Sequence, residues 1–327
     1  MLRITMAGRE ENASEAGCAR ITVVLASWHS ADLIAKLIVN LREKAMRPDS
    51  VIFFVLDNTN GADEAIEAVC RNEAATALHR LDSGALVSSR GHAFALNYAM
   101  GRLTTPYALV IDPDVHVFKS QWDVFLIEKL EAAGAIAIGA PYPFWKLGKY
   151  HDFPSPVFMF FNTHRLRQLA PDWTPFPDSW LTNKRNFIAR QVVRMGFVGT
   201  RGRLSARPRL ARFARLLESF FGVCGPDTGY LLARNARRRG LKAVLFNEVT
   251  ENSVLLERFA GTASAQDLAR EFELYYCEGD PMMAHKYSTR SYFWRTLRGD
   301  DPDYWRKCIH GVEAALGRNA PTVGGLS

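Results

Sequence analysis

Two aspartates one residue apart, Asp112 and Asp114, follow the most uniformly apolar strand-like run of the chain, Tyr107-Ala-Leu-Val-Ile111. Two carboxylates at the end of a buried strand can share a hard divalent cation with phosphate oxygens. The Asp-x-Asp spacing alone is not specific, and the chain carries its own control. Asp301-Pro-Asp303 repeats the pattern ahead of Tyr304 and Trp305, in a polar turn with no strand before it. There the ordinary role is helix N-terminal capping. Two other strand-like runs, 21–26 and 51–56, also end in polar residues, Ser27-Trp-His29 and Asp57-Asn-Thr-Asn60. Ligands of an open parallel sheet bind at the carboxyl ends of its strands, so Asp57, Asp112 and Asp114 are expected along one crevice.

The elements that must position these groups can be read from periodicity. Residues 32–44 put Leu33, Leu37, Ile38 and Leu41 on one helical face, and 64–73 and 93–100 are also expected to be helical. A further strand is expected at 77–81, followed by a Ser/Gly-rich loop over 82–91. Strands alternating with helices in this way predict βαβ units and a mostly parallel sheet. The second half is more mixed. Strands are expected at 135–140, 157–161 and 241–246, and a structured loop at 171–180. A turn at 222–228 leads into a helix over 229–239, and 247–252 is polar. From about Ala265 the chain is expected to be largely helical, interrupted at Gly279-Asp-Pro281.

Composition narrows the classes. Among the 327 residues 48% are hydrophobic and 23% charged, the balance of a globular protein with a substantial core, which excludes disorder, collagen and a small disulfide scaffold. No apolar run approaches the roughly 20 residues that span a bilayer. The N-terminal tail mixes Arg with Glu and lacks the apolar centre of a secretory signal. A cytoplasmic protein is expected, its five scattered cysteines reduced. The net charge of +7 and pI near 9.2 suit an anionic partner. That charge is uneven: between Asp178 and Glu218 there is no acidic residue and there are ten Lys or Arg. Apolar residues interleave at helical spacing, so segment 184–220 is expected to form two basic amphipathic helices joined by a mobile loop. They would suit an anionic membrane surface, as for a peripheral protein, or form an Arg-rich cover over an active site. A nucleic-acid role is disfavoured, since no helix-turn-helix, aromatic stacking sheet or zinc motif is legible.

The order and spacing of Val23-Val-Leu-Ala-Ser-Trp, Val51-Ile-Phe-Phe-Val-Leu-Asp-Asn-Thr, Gly91-His-Ala-Phe-Ala-Leu-Asn97 and Leu109-Val-Ile-Asp-Pro-Asp114 resemble the nucleotide-sugar-binding half of a family 2 glycosyltransferase with the GT-A fold. The resemblance implies an α/β fold with a mixed, mostly parallel sheet flanked by helices. It divides the chain into a polar tail (1–20), a nucleotide-sugar-binding half (21–118), an acceptor half (119–260) and a helical C-terminal extension (261–327). It implies that Ala26, Ser27 and Asp57 contact base and ribose, that Asp112 faces the ribose or a metal-bound water, and that Asp114 ligates Mn²⁺ or Mg²⁺ on the diphosphate. UDP is the default nucleotide, with GDP and dTDP open, and the acceptor is a hydroxyl of a glycan or glycolipid in a polysaccharide or lipopolysaccharide pathway. Arg90 is a candidate helper for the phosphates. The family draws its general base from an acid pair before a helix; here Gly225-Pro-Asp-Thr-Gly-Tyr230 keeps only one acid, Asp227, with Asp152, Asp172 and Asp178 in reserve. His285 is a candidate third metal ligand, and Arg290 a candidate diphosphate contact. Tyr142, Trp145, Trp173 and Trp180 are expected either in the core or as a platform for sugar stacking.

Two enzyme rivals fit less well. A sugar nucleotidyltransferase needs a Gly-rich basic loop after the first strand, where this chain has Ala-Ser-Trp-His-Ser, and a nicotinamide enzyme needs Gly-x-Gly-x-x-Gly there. The incomplete acid pair leaves one non-enzyme alternative, a catalytically silent nucleotide- or membrane-binding protein.

Overall fold

The computed structural model describes residues 20–82, 86, 88–175, 179–196, 201–225, 227–286 and 301–318. The N-terminal tail, Cys18, Asp178 and Arg290 lie outside them.

The first half alternates strand and helix as expected: β1 (Ile21–Ser27), α1 (Ala31–Lys44), β2 (Val51–Asp57), α2 (Glu64–Asn72), β3 (Thr76–Arg80), α3 (Ser89–Met100) and β4 (Tyr107–Ile111). Then follow β5 (Val115–Val117), α4 (Trp122–Ala132), β6 (Ala137–Gly139), β7 (Phe158–Asn162), α5 (Thr163–Arg167), α6 (Trp180–Val193), α7 (Arg201–Ala206), α8 (Pro208–Phe221) and α9 (Tyr230–Arg238). The chain continues through β8 (Ala243–Leu245), β9 (Asn247–Val249), α10 (Ala263–Glu271), β10 (Glu273–Cys277), β11 (Asp280–His285) and α11 (Pro302–Arg318).

Seven strands form one mixed sheet in the order β3-β2-β1-β4-β7-β6-β8. β3, β2, β1 and β4 run parallel, β7 lies antiparallel between β4 and β6, and β8 is parallel to β6. The period of two along each central strand sorts side chains to opposite faces. Val23, Leu25, Phe53, Val55, Leu109 and Ile111 pack under α1, α2 and α4, while Val24, Phe54, Leu56, Ala108 and Val110 pack under α3 and α9. Burial on both faces explains why these strands read as continuous apolar runs.

A second sheet, β5-β11-β10-β9, corrects the helical expectation for the C-terminal stretch. Helices α10 and α11 agree with it, but residues 273–285 between them form an antiparallel hairpin, and Gly279-Asp-Pro281 marks its turn and the start of β11. Glu273, Leu274, Tyr275 and Cys277 are all buried, so their apolar spacing lacks the one-sided pattern that separates strand from buried helix. β9 falls in the stretch read as polar, and α7 in the stretch read as a loop. Helix α3 begins at Ser89, inside the expected loop, because the Ser/Gly signals of 82–91 mark its start as well as a turn. Asn40 of α1 holds the free edge of β5 through its side chain, accepting from Val117 N (2.8 Å) and donating to Val117 O (3.1 Å).

Strand β6 meets β7 closely at Gly139, where a Cβ would lie 2.0 Å from the carbonyl oxygen of Phe158. Backbone cannot yield as a flexible side chain would. Gly139→Ala is therefore expected to cost about 2–3 kcal/mol of unfolding free energy, read as a lowered urea midpoint with an unchanged slope.

Candidate metal centre and adjoining cavity

β4 ends at Ile111 and releases the chain into Asp112-Pro-Asp114, tied back by Asp112 N donating to Val157 O (3.0 Å). The chain re-enters sheet structure at once as β5, and β5 pairs with β11 so that His285 lies opposite Val115. Lys286 N donates to Asp114 O (3.0 Å), closing that ladder. The sheet thus carries His285 to the two aspartates across some 170 residues of sequence, with Nε2 3.1 Å from Asp114 Oδ1 and 3.8 Å from Asp112 Oδ2. One ligand atom from each of the three lies within 4.8 Å of the others. Two carboxylates and an imidazole form a donor set suited to Mn²⁺ or Mg²⁺, and the distances leave room for an ion between them.

Behind the imidazole stands a group the sequence reading missed. Glu273 Oε2 accepts from His285 Nδ1 (3.0 Å), fixing the ring so that Nε2 faces the aspartates. Glu273 is itself buried and paired with buried Lys146, whose Nζ lies 2.6 Å from Oε1. Burial disfavours both charges, but Lys146 and His285 hold the Glu273 carboxyl down to about 2. Burial likewise opposes an imidazolium at His285, yet Asp114 and Glu273 together raise it to about 10. Asp112, unlike Glu273, is pushed up: its burial raises it, and His92 and His285 only partly offset this. Without a metal ion, His285 is the cation of the cluster, and ion binding at Nε2 must expel its proton.

Beside Asp112 opens a cavity of about 470 Å³ lined by Ala26, Ser27, Trp28, Asn58, Leu86, Ser88, Gly91 and His92. It sits between the ends of β1 and β4, where the strand order reverses, the place where open α/β sheets bind ligands. Ser27 Oγ is buried with no hydrogen-bond partner among the described residues, and Trp28 is 62% exposed at the cavity wall. Of the residues expected at a nucleotide, Ala26, Ser27 and Asp112 line this cavity. Asp57 does not: both its oxygens serve the turn after β2, Oδ1 accepting from Thr59 N and Oγ1, and Oδ2 from Gly61 N. Its neighbour Asn58 takes the lining position. Arg90 is exposed on the first turn of α3, outside the lining residues.

Asp227 lies just ahead of α9 and is heavily engaged. Oδ1 accepts from Ser89 Oγ (2.6 Å) and Thr228 N (2.9 Å), and Oδ2 accepts from Lys149 Nζ. Despite its burial, chiefly Lys149 holds this carboxyl well below the usual range. Buried Tyr142, whose hydroxyl is pushed well up by burial, feels the charges of both Asp227 and Asp112, so the two acids share one neighbourhood. Asp152 instead forms an ion pair with Arg237 on the surface, and Asp172 accepts from Thr174 N and Asn97 Nδ2. Trp145 and Trp173 are buried in the core with Tyr142, and Trp180 is exposed at the start of α6. A larger cavity of about 670 Å³ lies under α7 and α8, lined by Trp145, Arg201, Arg215 and Glu248 and by none of the metal cluster. Burial raises Glu248 there to about 7.

No family model matches the chain, and no curated protein matches its sequence. Solved structures that it resembles in fold include S. aureus TarS 1–349, at 13% identity over 47% of this chain and 50% of that one, with a TM-score of 0.37. The match therefore spans half of TarS 1–349. A mannosyltransferase from Pyrobaculum calidifontis in complex with GDP-Man and Mn²⁺ is 14% identical over 68% of this chain and 80% of that one, with a TM-score of 0.40. Mannosyl-3-phosphoglycerate synthase from Rubrobacter xylanophilus is 17% identical over 45% and 54%, with a TM-score of 0.34. At these identities and scores the likeness assigns no ligand and no residue role to this chain.

The His285 and Glu273 values carry opposite signs. His285 is raised above its ordinary 6.5, so its stabilisation is complete below pH 6.5 and is lost as pH climbs toward 10. Glu273 is lowered from 4.5, so its stabilisation is complete above pH 4.5 and is lost as pH falls toward 2. In EDTA, the melting temperature is expected to fall between pH 6.5 and 10 in the wild type by more than in His285→Asn. Equal falls in the two proteins would show that His285 does not carry the proton.

Proposed function

We propose that the protein is a metal-assisted, inverting glycosyltransferase that moves a sugar from a nucleotide-diphosphate donor to a hydroxyl of a glycan or glycolipid. The observation that carries the reading is the convergence of Asp112, Asp114 and His285, whose ligand atoms lie within 4.8 Å of one another, with Asp112 also lining the β1/β4 cavity. Asp114 and His285 Nε2 would hold Mn²⁺ or Mg²⁺, with Asp112 sharing it or facing the ribose. When bound, the ion supplies Lewis-acid stabilisation of the negative charge that develops on the departing diphosphate. The protein's own groups do the rest. Trp28 and Asn58 flank the nucleoside, and Ser27 Oγ, otherwise unpartnered, offers it a hydrogen bond. Ser88, Gly91 and His92 bring the N-terminus of α3, the positive end of its helix dipole, to the side where phosphates would lie.

The acceptor proton goes to Asp227. In a single displacement the bond from the anomeric carbon to the diphosphate oxygen breaks as the bond to the acceptor oxygen forms. The nucleoside diphosphate leaves and configuration inverts. A carboxylate as acidic as Asp227 is a weak base toward a free alcohol. The acceptor oxygen, however, becomes strongly acidic as its new bond forms, and a proton taken late needs no stronger base. Ser89 Oγ donates to Asp227 Oδ1 at 2.6 Å, so this carboxylate oxygen accepts from a hydroxyl.

The same engagement favours one alternative, a silent nucleotide-binding protein in which Lys149 keeps Asp227 out of chemistry. Calorimetric titration separates binding from turnover. UDP, or else GDP or dTDP, is expected to bind with Mn²⁺ present, and EDTA or Asp114→Ala is expected to weaken it by about tenfold or more. No nucleotide binding by well-folded protein would sink the site. Asp227→Asn is expected to keep that binding and to lower turnover by about 10²–10⁴-fold in donor-sugar transfer or hydrolysis. Unchanged turnover in Asp227→Asn would remove it as the base, and absent turnover in the wild type would favour the silent reading.

A further inference from the structure

Helices α6 and α8 bury one face each in a shared cluster with Trp145, Leu147 and Cys224, through Ala189, Val193 and Ala214. Their opposite faces carry large apolar side chains that no described residue covers. On α6, Leu181 is 71% exposed and Ile188 63%, one helical turn-pair apart, with Trp180 and Phe187 beside them. On α8, Phe220 is 82% exposed, with Leu216 one turn before it and Phe213 two turns before it. Soluble surfaces rarely gather so many large apolar groups without a partner.

Charge says what the partner is. The stretch Ser179 to Leu217 holds ten Lys or Arg and no acid. Only Arg194 and Arg201 of these are buried; Lys184, Arg185, Arg203, Arg207, Arg209, Arg212 and Arg215 are exposed. Lys184 sits among the exposed apolar residues of α6, over the ring of Trp180 at 3.9 Å, and Arg209 lies among those of α8. A protein partner would meet the apolar groups with apolar groups and leave the charges at a rim. Here the two are interleaved, the pattern of a helix that sinks its apolar side chains between lipids while its cations meet phosphates.

We propose that the outer faces of α6 and α8 are a docking surface for an anionic phospholipid membrane. The proposal is independent of the reading of the catalytic site. Among the described residues no helix is long and apolar enough to cross a membrane, and the proposed contact is with the membrane surface. Each cation near such a surface adds roughly fivefold to partitioning, an advantage that salt removes.

The test is co-sedimentation of the full chain with phosphatidylcholine vesicles, with and without about one third phosphatidylglycerol. Binding to the anionic vesicles is expected to exceed binding to neutral ones by about tenfold or more and to fall with salt. The combined variant Leu181→Ser, Ile188→Ser, Phe220→Ser is expected to lose about tenfold, and the combined variant Lys184→Gln, Arg185→Gln, Arg209→Gln about a hundredfold at low salt. All six residues are exposed, and unchanged melting curves verify folding. Failure to bind anionic vesicles, equal binding to neutral ones, or full binding by the serine variant overturns the proposal. Binding to duplex DNA in place of vesicles overturns it in favour of a nucleic-acid surface. Nucleotide titration, which needs no vesicle, reports separately on the catalytic site.

Discussion

The arrangement depends on pairing a buried imidazole with acids on both ring nitrogens. His285 is 4% exposed in its side chain, and a buried cation is tolerated only when it is paired and hydrogen-bonded. Asp114 meets it on one ring nitrogen and Glu273 on the other, and Glu273 is balanced in turn by Lys146. The four groups alternate in sign, so each offsets the desolvation of its neighbour. Removing a partner from such a buried pair typically costs about 3–5 kcal/mol, a large share of a domain's net stability. The chain of charges therefore resists rearrangement, and at its open end Asp114 stands beside Asp112, which lines the cavity.

Backbone topology places that open end. β1 crosses through α1 to β2 on one side, while the crossover through α3 returns the chain to β4 on the other. The ends of β1 and β4 diverge there and leave the cavity lined by Ser27 and Asp112. The N-terminus of α3 belongs to this same crossover, which is why Gly91 stands at the wall. A Cβ at Gly91 would lie 3.1 Å from Leu86 O, inside ordinary contact.

The first half of the chain was legible because local patterns specify it. Apolar runs ending in polar clusters identify parallel strands and their carboxyl ends, and these alone bring Ser27 and Asp112 together. Asp57 shows the limit of that reasoning. A polar residue at a strand end can serve the ligand or its own turn, and only the accepted hydrogen bonds from Thr59 and Gly61 separate the two. Glu273 and Lys146 were not legible, because neither belongs to a local motif. One lies in a hairpin that reads as helix, the other in an aromatic stretch without regular structure. They meet through strand pairing and loop packing that no sequence period records. The buried acid in β10, Glu273, twelve residues before His285, was the one available signal.

That aromatic stretch, residues 144–149, ties the parts into one unit. Trp145 Nε1 donates to Glu248 of β9, Lys146 reaches Glu273 behind the metal cluster, and Lys149 reaches Asp227. Between them Gly148 O accepts from both Cys224 N and Gly225 N, and Gly148 N donates to Glu218 of α8. Only glycine fits there: φ is +83° and a Cβ would lie 2.8 Å from Cys224 Sγ. Six consecutive residues thus hold the acid ahead of α9, the acid behind the imidazole and the last turn of a surface helix. A force on α8 from outside therefore bears on Gly148, and Gly148 lies two residues from Lys146 and one from Lys149. The basic surface and the acidic site are consecutive parts of one hydrogen-bonded path.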